Sequence, residues 1–429
     1  MTQVEPQVEP QLREVAPRPL SGVRVLDLTR ALSGPFCTMI LGDLGADVVK
    51  IEPVDGDMTR KWGPYVGGQS TYFLSANRSK RSVALDFRKP EALALVRRMA
   101  TSSDVVVENF RPGVADEMGL GYETLRDDNP ALVYASISGF GQTGPARDWP
   151  GFDQIAQGHA GLMALTGDSD PTRVGVAIAD MTSGMWASIG IIAALRTSQA
   201  TGKGERLETS LVASLVAMLG VQGQRYLSAG IVPSRTGNSN PVIAPYGTFK
   251  ASDGPINIAP ATEAMWRSLC EVLGLSQLSR DERFATNPLR VANRNALDAA
   301  LGERIAQEPR EHWVERFVAA GIPAGLINDL PEVFDDAQVQ HCRMVRMAEH
   351  PVLGSIPQLA LPLQFTTLDL GPACAPPVLG QDTTAVLRSY GISETEITSL
   401  VERGLVVQGT ARRVQSDDAT IQNEETLRT

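Results

Sequence analysis

The chain has 429 residues, of which 43% are hydrophobic, and its formal net charge at pH 7 is -10. This length allows two or three domains of roughly 100–200 residues each. The acidic balance argues against a nucleic acid or an acidic membrane as a partner. The four cysteines form no CxxC pair, which indicates neither a zinc site nor a disulfide scaffold. We therefore expect a cytoplasmic protein without bound metal.

Both ends of the chain differ in composition from the rest. Residues 1–19 are rich in Pro, Glu and Gln, unlike a signal or transit peptide, and we expect a disordered arm there. The polar residues 409–429 are expected to form a disordered tail. The longest apolar run, around Met185–Leu195, is shorter than the roughly 18 residues that span a bilayer. It predicts a buried helix and no membrane partner.

Residues 22–140 alternate strand and helix patterns, and we predict that residues 20–205 form the N-terminal part of a large domain. Val23–Leu28 and Ala46–Glu52 are strand patterns that flank the helix pattern Gly34–Gly45. Such a βαβ unit implies a parallel sheet, so we predict an α/β, doubly wound, Rossmann-like domain. Further strands are predicted at Ser82–Phe87, Asp104–Glu108 and Ala131–Ser138, and further helices at Pro90–Ala100 and Tyr122–Asp128.

The second half of the chain predicts an insertion followed by a return to the large domain. Within it, Ser252-Asp253-Gly254 separates two strand patterns and signals a hairpin. The predicted parts are a linker helix at 206–237, a small inserted α+β domain at 238–325, a return linker at 326–345 and the C-terminal part of the large domain at 346–408.

The residues from Gly139 to Gly144 match the pattern GxGxxG and follow a predicted strand. A dinucleotide-binding fingerprint requires a helix to begin there at once. Here Pro145 follows, then the string Ala-Arg-Asp-Trp-Pro-Gly, which predicts no helix. We therefore interpret this string as a glycine-rich loop at the edge of a sheet.

Asp180 stands out by its surroundings, since it is the only charged residue between Arg173 and Arg196. An apolar, strand-like run precedes it and an apolar helix pattern follows, so the pattern predicts a helix N-cap. At that position the helix dipole would also stabilise a carboxylate as an anion. A sheltered, ionised carboxylate is what a carboxylate nucleophile requires. The structural and the catalytic interpretations are compatible.

The other reactive residue types form no recognisable set. The four histidines lack HxxxH spacing, and no serine or cysteine lies in a GxSxG elbow. Without a metal set, a Ser/His/Asp set or a phosphate loop, Asp180 is the best candidate nucleophile.

Several motifs follow one another in a fixed order along the chain. They are LSGVRVLDLT from Leu20, LGADVVKIEP from Leu44, NRSKRS from Asn77, VENFRPG from Val107, GFGQTGP from Gly139 and DMTSG from Asp180. Together they resemble the class III CoA-transferases of the CaiB/BaiF type, a group that also includes α-methylacyl-CoA racemases. The likeness runs from about residue 20 to 408.

The resemblance implies a large α/β domain built from both chain ends, a small inserted domain and an interlocked homodimer. It implies that Asp180 is the nucleophile and that acyl-CoA is a substrate, with no permanently bound cofactor. The implied CoA contacts are Leu32, Ser33, Leu85, Asp86, Phe87, Arg88, Asn109, Phe110, Arg111 and Phe152.

The sequence departs from the family pattern at four positions. Pro53 and Glu117 replace the phosphate-contacting arginines of the formyl-CoA transferases, and Leu32 replaces a glutamine. Phe152-Asp153 stands where the racemases have a His-Asp pair, so the racemase base is absent. Replacement candidates for the phosphate contacts are Arg78, Arg88 and Arg111.

We therefore expect CoA transfer from succinyl-CoA or glutaryl-CoA to a small dicarboxylate through an aspartyl-CoA thioester on Asp180. One alternative is a racemase or isomerase of the same family, with Asp180 as a proton-transfer base. A second is an acyl-CoA-binding protein without catalytic activity. The candidate substrate or oxyanion contacts are Gly139, Gly141, Asp153, Arg235, Gly237 and Asn238.

Overall fold

The computed structural model describes residues 18–372 and 374–409, which divide into two compact units. The first unit comprises the residues up to Ala156, then Ala177–Met218, then the residues from Cys342 onward. The second comprises Gln157–Val176 and Leu219–His341. The predicted arm and tail lie outside the described residues, except for residues 18, 19 and 409. The domain limits drawn from the sequence stay predictions.

The described residues contain strands in both units, numbered here in chain order. They are β1 (Arg24–Asp27), β2 (Asp47–Pro53), β3 (Tyr65–Val66), β4 (Gln69–Ser70), β5 (Lys80–Leu85), β6 (Val105–Glu108), β7 (Val133–Ser138), β8 (Arg206–Ser210), β9 (Gly247–Lys250), β10 (Pro255–Ile258), β11 (Ala324–Leu326), β12 (Val345–His350), β13 (Gly354–Leu359) and β14 (Val406–Val407).

The first unit is built on a seven-stranded sheet with the order β14-β5-β2-β1-β6-β7-β8. All neighbours are parallel except β14, which runs antiparallel to β5. Successive residues of each central strand enter different cores, since Val25 packs into one and Leu26 into the other. Strands that are buried on both faces are typical of parallel sheets. The prediction of an α/β fold with a mostly parallel sheet is confirmed.

The helices are likewise numbered in chain order over the described residues. They are α1 (Ser33–Asp43), α2 (Thr71–Ala76), α3 (Pro90–Thr101), α4 (Val114–Glu117), α5 (Tyr122–Asp128), α6 (Asp153–His159), α7 (Leu162–Leu165), α8 (Ile178–Thr201), α9 (Leu211–Met218), α10 (Gly220–Ala229), α11 (Glu263–Leu273), α12 (Asn287–Ala292), α13 (Arg294–Ile305), α14 (Arg310–Ala319), α15 (Leu330–Asp335), α16 (Ala337–His341), α17 (Thr383–Ser389) and α18 (Glu394–Glu402).

The prediction of a linker helix that begins at residue 206 is wrong at its start. Arg206–Ser210 forms β8, which extends the main sheet beside β7. Its burial alternates along the strand, so it has the period of an edge strand rather than of a helix. The helical part that follows is divided into α9 and α10, because Gly220 takes a positive φ of 49° at the break.

The second unit contains a three-stranded antiparallel sheet with the order β11-β10-β9. The predicted hairpin is present, since Lys250 pairs with Pro255 across the Ser252-Asp253-Gly254 turn. The amphipathic helices α11, α13 and α14 pack on this sheet through a core that includes Trp266, Trp313 and Phe317.

The C-terminal residues return to the first unit, as the sequence predicted. Val406 of β14 pairs with Leu85, and α17 and α18 contribute Leu387 and Leu400 to one core of the main sheet. Ser393 caps α18 by accepting a hydrogen bond of 3.2 Å from the N–H of Glu396. By contrast, β12 and β13 form a separate hairpin.

Candidate active site

Asp180 lies in the first turn of α8, at the third helical position. The prediction that Asp180 is the N-cap is wrong, because the helix begins at Ile178 and its N-cap is Ala177. The predicted strand before it is also absent, since residues 174–177 have no regular structure. The N–H groups of the first turn have no partner within the helix and the dipole is positive there. Both act to stabilise an anion, but burial and Asp153 outweigh them.

A second helix N-terminus reaches the same carboxylate. The backbone N–H of Ser33, the first residue of α1, lies close enough to the Asp180 carboxylate to lower its pKa. The N-cap of α1 is Leu32, whose side chain provides no cap. The N–H of Ser33 is therefore a helix-terminal donor that Asp180 can accept from. Ser33 was predicted as a CoA contact, and the structure places it against the candidate nucleophile.

Gly184 lets α1 and α8 approach closely enough for this contact. A Cβ on Gly184 would lie 2.6 Å from the carbonyl oxygen of Ser33 and 3.2 Å from the backbone nitrogen of Cys37. Both are backbone atoms of α1, which cannot move as a side-chain end can. Gly184 lies one helical turn after Asp180 on the same face of α8. The close crossing of α1 and α8, which leaves no room for a side chain at residue 184, therefore also brings the Ser33 amide to the Asp180 carboxylate.

The electrostatic surroundings favour the protonated form of Asp180. Burial, and then the negative charge of Asp153, raise the pKa of Asp180 to about 7, while the Ser33 N–H acts in the opposite direction. Burial and the charges of Asp180 and Asp153 also raise the pKa of the Tyr72 phenol. Tyr72 therefore faces both carboxylates. It lies on α2, and its ring packs edge-on against Trp62 with centroids 5.0 Å apart.

Asp153 begins α6, and its Oδ1 accepts a hydrogen bond of 2.7 Å from the backbone N–H of Ala179. Ala179 directly precedes Asp180, so the two carboxylates meet at the start of α8. Phe152, predicted as a CoA contact, is 59% exposed. It has no group that could exchange a proton, in agreement with the absent racemase base.

The loop from residue 29 to 32 is held on both sides. Asn109 accepts from the N–H of Arg30 and donates to its carbonyl, each at 2.8 Å. Ala31 has a positive φ of 63°, which is rare for alanine. Asp57 accepts from its N–H at 3.4 Å. Asn109 therefore orients the loop that leads to Ser33, a role beyond the CoA contact predicted for it.

Two buried ion pairs lie beneath this loop. Lys50 lies 3.0 Å from Asp57, and Lys80 lies 3.1 Å from Asp27. Lys50 also donates to the carbonyl of Thr29 at 2.9 Å. Burial acts to raise the pKa of Asp27, but Lys80, Lys50 and hydrogen bonds from Thr29 and Thr38 together lower it to about 2. The loop therefore rests on charges that are fully compensated inside the protein.

A cavity of about 530 Å³ lies at the carboxyl ends of β1, β2 and β5, where open α/β sheets bind ligands. Five predicted CoA contacts line it: Leu85, Asp86, Phe87, Arg88 and Phe110. The sequence reasoning missed Arg30, Val114 and Met118, and it treated Pro53 only as a lost arginine. The full lining is Leu28, Arg30, Ile51, Pro53, Val54, Asp55, Leu85, Asp86, Phe87, Arg88, Phe110, Val114 and Met118.

The arginines predicted as phosphate contacts are placed differently from one another. The Arg88 side chain is 81% exposed and pairs with Asp86 at 2.7 Å. Arg111 lines a separate, small cavity beside Glu108. Arg78 is wrong as a candidate, because its guanidinium is buried in an ion pair with Asp43 at 2.7 Å.

Two of the three predicted oxyanion amides already have acceptors. The N–H of Gly141 donates to Ser138 Oγ at 2.9 Å, and the N–H of Gly237 donates to the carbonyl of Gly167 at 3.0 Å. Gly139 instead allows the backbone at Gly151 to pass close to it, since a Cβ at residue 139 would lie 2.9 Å from the Cα of Gly151. The string 139–144 opens no helix, so its interpretation as a loop is confirmed.

In the second unit, Arg235 donates to two backbone carbonyls, to Asp168 at 3.2 Å and to Ser169 at 2.8 Å. Two N–H groups of the Arg235 guanidinium are therefore already used, and they are not available to the substrate carboxylate that Arg235 was expected to contact. Asn238 is exposed in the turn that follows Gly237. Within residues 18–372 and 374–409, no group of three His, Cys, Asp or Glu side chains could hold a metal ion.

Comparison with known proteins places the chain among CoA-transferases. The model of CoA-transferase family III matches residues 20–383. The chain is 42% identical to succinyl-CoA:glutarate CoA-transferase of Mus musculus over 396 residues, which are 91% of each chain. It is 42% identical to acetyl-CoA:oxalate CoA-transferase of Acetobacter aceti over 318 residues, 73% of this chain and 82% of that one. The crystal structure of a CAIB/BAIF family protein from Brucella suis is 41% identical, with a TM-score of 0.80, and covers 87% of this chain and 100% of that one.

Proposed function

The chain belongs to CoA-transferase family III, and we propose that it carries CoA from succinyl-CoA or glutaryl-CoA to a small dicarboxylate through a covalent aspartyl-CoA thioester. The observation that carries this proposal is the setting of Asp180. It is a largely buried carboxylate in the first turn of α8 that faces the Ser33 N–H. Its pKa of about 7 gives a more basic and hence stronger nucleophile than an exposed aspartate.

The first half of the reaction transfers CoA to the enzyme. An Asp180 carboxylate oxygen attacks the thioester carbonyl of the donor, the C–S bond breaks, and CoA leaves as a thiolate. The products of this step are CoA thiolate and a mixed anhydride between the donor acyl group and Asp180. The thiolate then attacks the aspartyl carbonyl of the anhydride, which releases the donor acid and leaves an aspartyl-CoA thioester.

The second half repeats these steps in reverse with the acceptor. The acceptor carboxylate attacks the aspartyl thioester carbonyl and expels CoA thiolate, which gives a second mixed anhydride. The thiolate attacks the acceptor carbonyl of that anhydride, so acyl-CoA forms and Asp180 is regenerated as a carboxylate. Each step exchanges one activated acyl bond for another of similar energy. Covalent catalysis thereby divides one difficult transfer into several easier steps.

The Ser33 amide supports this chemistry in two ways. In the free enzyme its N–H faces the Asp180 carboxylate and favours its ionised form. When Asp180 is acylated, the same N–H remains beside the aspartyl carbonyl and can stabilise the charge that develops on that oxygen. The N-terminus of α1 adds its dipole, since no side chain caps it.

The 530 Å³ cavity is the proposed site for the nucleotide end of CoA. Phe87 and Phe110 offer aromatic faces to an adenine ring, and Arg30 lies over Phe110 with 5.5 Å between its guanidinium carbon and the ring centroid. Arg30 and Arg88 are the cations that line this cavity. They are therefore the proposed phosphate contacts in place of the arginines that Pro53 and Glu117 replace.

The proposed acceptor rests on the relatives. The mouse protein is named for succinyl-CoA and glutarate and aligns over 91% of both chains. The Acetobacter protein is named for acetyl-CoA and oxalate and aligns over a smaller share. Arg235 and Asn238 lie in the second unit, and the substrate contact expected for them from the sequence stays a prediction. Because Arg235 already bonds two carbonyls, its contribution would come from its charge and its remaining N–H groups.

An exposed apolar stripe on α8 supports a homodimer. Met185, Trp186, Ile189 and Ile192 recur at helical spacing and are 38–58% exposed, although the sequence predicted that this run would be buried. The helix has the length and composition of a membrane span, but half of its apolar window is buried within the protein. Exposed apolar patches of this kind commonly mark protein interfaces. We propose a second copy of the chain as the partner, in the interlocked arrangement of the family, in the cytoplasm and without a resident cofactor.

The proposed function is tested with Asp180→Asn and Asp180→Ala, using Asp148→Ala as a matched control. Asp148 is an exposed aspartate that pairs with Arg147, so its loss should leave turnover unchanged. Each protein is incubated with succinyl-CoA and a panel of mono- and dicarboxylates that includes glutarate and oxalate, and the acyl-CoA products are identified by mass spectrometry. The proposal is supported if both Asp180 variants lose transfer while Asp148→Ala keeps it, and if the parent protein prefers glutarate as acceptor.

Two results would contradict parts of this proposal. Substantial turnover by Asp180→Ala would exclude Asp180 as the nucleophile. A preference for monocarboxylates or oxalate would overturn the acceptor and leave the mechanism intact. Exchange of an α-proton with deuterated water, without a second acid, would instead indicate the racemase alternative.

A further inference from the structure

The helix that carries Asp180 does not cap its own N-terminus. The first N–H groups of any α-helix have no partner within the helix, and a side chain at the N-cap commonly accepts from the second or third of them. Here the N-cap is Ala177, which has no polar side chain. Alanine is among the poorest residues at this position, so the acceptor must come from elsewhere.

Asp153 supplies the missing acceptor from another part of the chain. Its Oδ1 lies 2.7 Å from the backbone nitrogen of Ala179, which is the second helical position of α8. This is one of the two N–H groups that a Ser or Asp N-cap would serve. Asp153 begins α6, so the cap joins the starts of two helices.

We propose that Asp153 is a positioning residue for Asp180, whose carboxylate caps the nucleophile's helix from outside and fixes the first turn that carries the nucleophile. The inference rests on the proposed role of Asp180. It replaces the substrate or oxyanion role expected for Asp153 from the sequence, because the Oδ1 atom of Asp153 accepts a hydrogen bond from the protein itself.

The cap also assigns different tasks to two neighbouring carboxylates. Asp153 accepts a hydrogen bond of 2.7 Å from the N–H of Ala179, whereas the N–H of Ser33 faces Asp180 and lowers its pKa. Because Asp153 is held in place, its charge cannot turn away from Asp180. The groups that face Asp180 are Asp153, the Ser33 N–H and the phenol of Tyr72. Removing the Asp153 charge should therefore make Asp180 more acidic and less nucleophilic.

The test compares Asp153→Asn with Asp153→Ala in the full-length protein. Asparagine keeps the Oδ1 acceptor and removes the charge, whereas alanine removes both. Asp148→Ala is the matched control, since it removes an exposed carboxylate from the loop before α6. For each protein, kcat and kcat/KM are measured from pH 5 to 9, and the urea midpoint of unfolding is measured in parallel.

The two variants should differ in a defined way. For both, the acidic limb of kcat/KM should move to lower pH by on the order of one unit, and the plateau kcat should fall. Only Asp153→Ala should also lower the urea midpoint and lose several-fold more kcat, because only it lacks the cap. Asp148→Ala should match the parent in every measurement.

The inference is overturned if both Asp153 variants keep the parental pH profile, or if Asp153→Ala and Asp153→Asn have the same urea midpoint. This outcome is distinct from failure of the proposed function. If Asp180→Asn retains turnover, the nucleophile itself is wrongly assigned. If Asp180→Asn is inactive while the Asp153 variants behave as the parent, only the positioning role fails.

Discussion

A methyl group at Gly184 should separate the nucleophile from its amide donor. In Gly184→Ala the new Cβ would lie 2.6 Å from the Ser33 carbonyl oxygen, so α1 and α8 must move apart by about 0.6–0.8 Å to restore ordinary contact. Overpacking of this kind costs about 1–3 kcal/mol. It exceeds the gain of about 1 kcal/mol expected for alanine over glycine inside a helix. The variant should therefore be less stable than the parent.

The loss of activity should be larger than the loss of stability suggests. The displaced helix carries the Ser33 N–H that faces Asp180, and a misplacement of about 1 Å at a reacting group can cost roughly 100-fold in rate. We expect kcat/KM for succinyl-CoA and glutarate to fall by about 10–100-fold. The assay follows glutaryl-CoA formation by chromatography, and urea unfolding gives the stability.

Gly190 offers a matched control in the same helix. A Cβ there would meet Leu207 Cδ1 at 3.3 Å, and a side-chain methyl group can yield where a backbone cannot. Gly190→Ala should therefore be neutral or up to about 1 kcal/mol more stable, with activity unchanged. If Gly184→Ala has parental kcat/KM and stability, the proposed reason for the glycine is wrong. The same conclusion follows if both variants lose activity equally.

Two further predictions concern protonation and CoA binding. Because burial and Asp153 raise the pKa of Asp180 to about 7, transfer should increase as pH rises through about 7. The folded state then holds this proton more tightly than the unfolded chain, so stability falls from about pH 4 to 7. Asp180→Asn should accordingly be about 1–3 kcal/mol more stable than the parent at pH 8 by urea unfolding; equal stability would contradict the buried, ionised carboxylate. Phe110→Ala, at the wall of the 530 Å³ cavity, should raise KM for acyl-CoA roughly tenfold with little change in kcat; an unchanged KM would place the nucleotide elsewhere.

The sheet could be predicted because its strands carry an unusually plain signal. Val105, Val106 and Val107 are buried on both faces of the sheet, so the strand reads as a continuous apolar run between polar turns. The edge strand β8 carries no such signal, since Arg206 and Glu208 are exposed. A strand of this kind is defined by its pairing with β7, which local pattern does not reveal.

The candidate nucleophile could be predicted, but the contacts that define its site could not. Asp180 is conspicuous because it is a lone charge in an apolar run. Its partners Asp153, Ser33 and Tyr72 come from three other helices and meet it only in the folded chain. The N-cap prediction failed for the same reason, since the cap of α8 is supplied across 26 positions of sequence by Asp153.

Charged residues were the least predictable part of the candidate site. Arg78 and Arg235 both lie in sequence near expected substrate contacts. The structure shows that Arg78 is buried against Asp43 and that Arg235 bonds the carbonyls of a neighbouring loop. Arg30, which was not proposed from the sequence, lines the cavity instead. An arginine's partners are set by tertiary packing, because its long side chain can reach in many directions.

The central claim is that CoA becomes covalently attached to Asp180. The most direct measurement is to incubate the protein with succinyl-CoA in the absence of acceptor, quench with hydroxylamine or borohydride, and map the modified peptide by mass spectrometry. We expect a single modified residue, Asp180, in the peptide between Arg173 and Arg196, and no modification in Asp180→Asn. Modification of another carboxylate, or no modification in a protein that is active once acceptor is added, would contradict covalent attachment to Asp180.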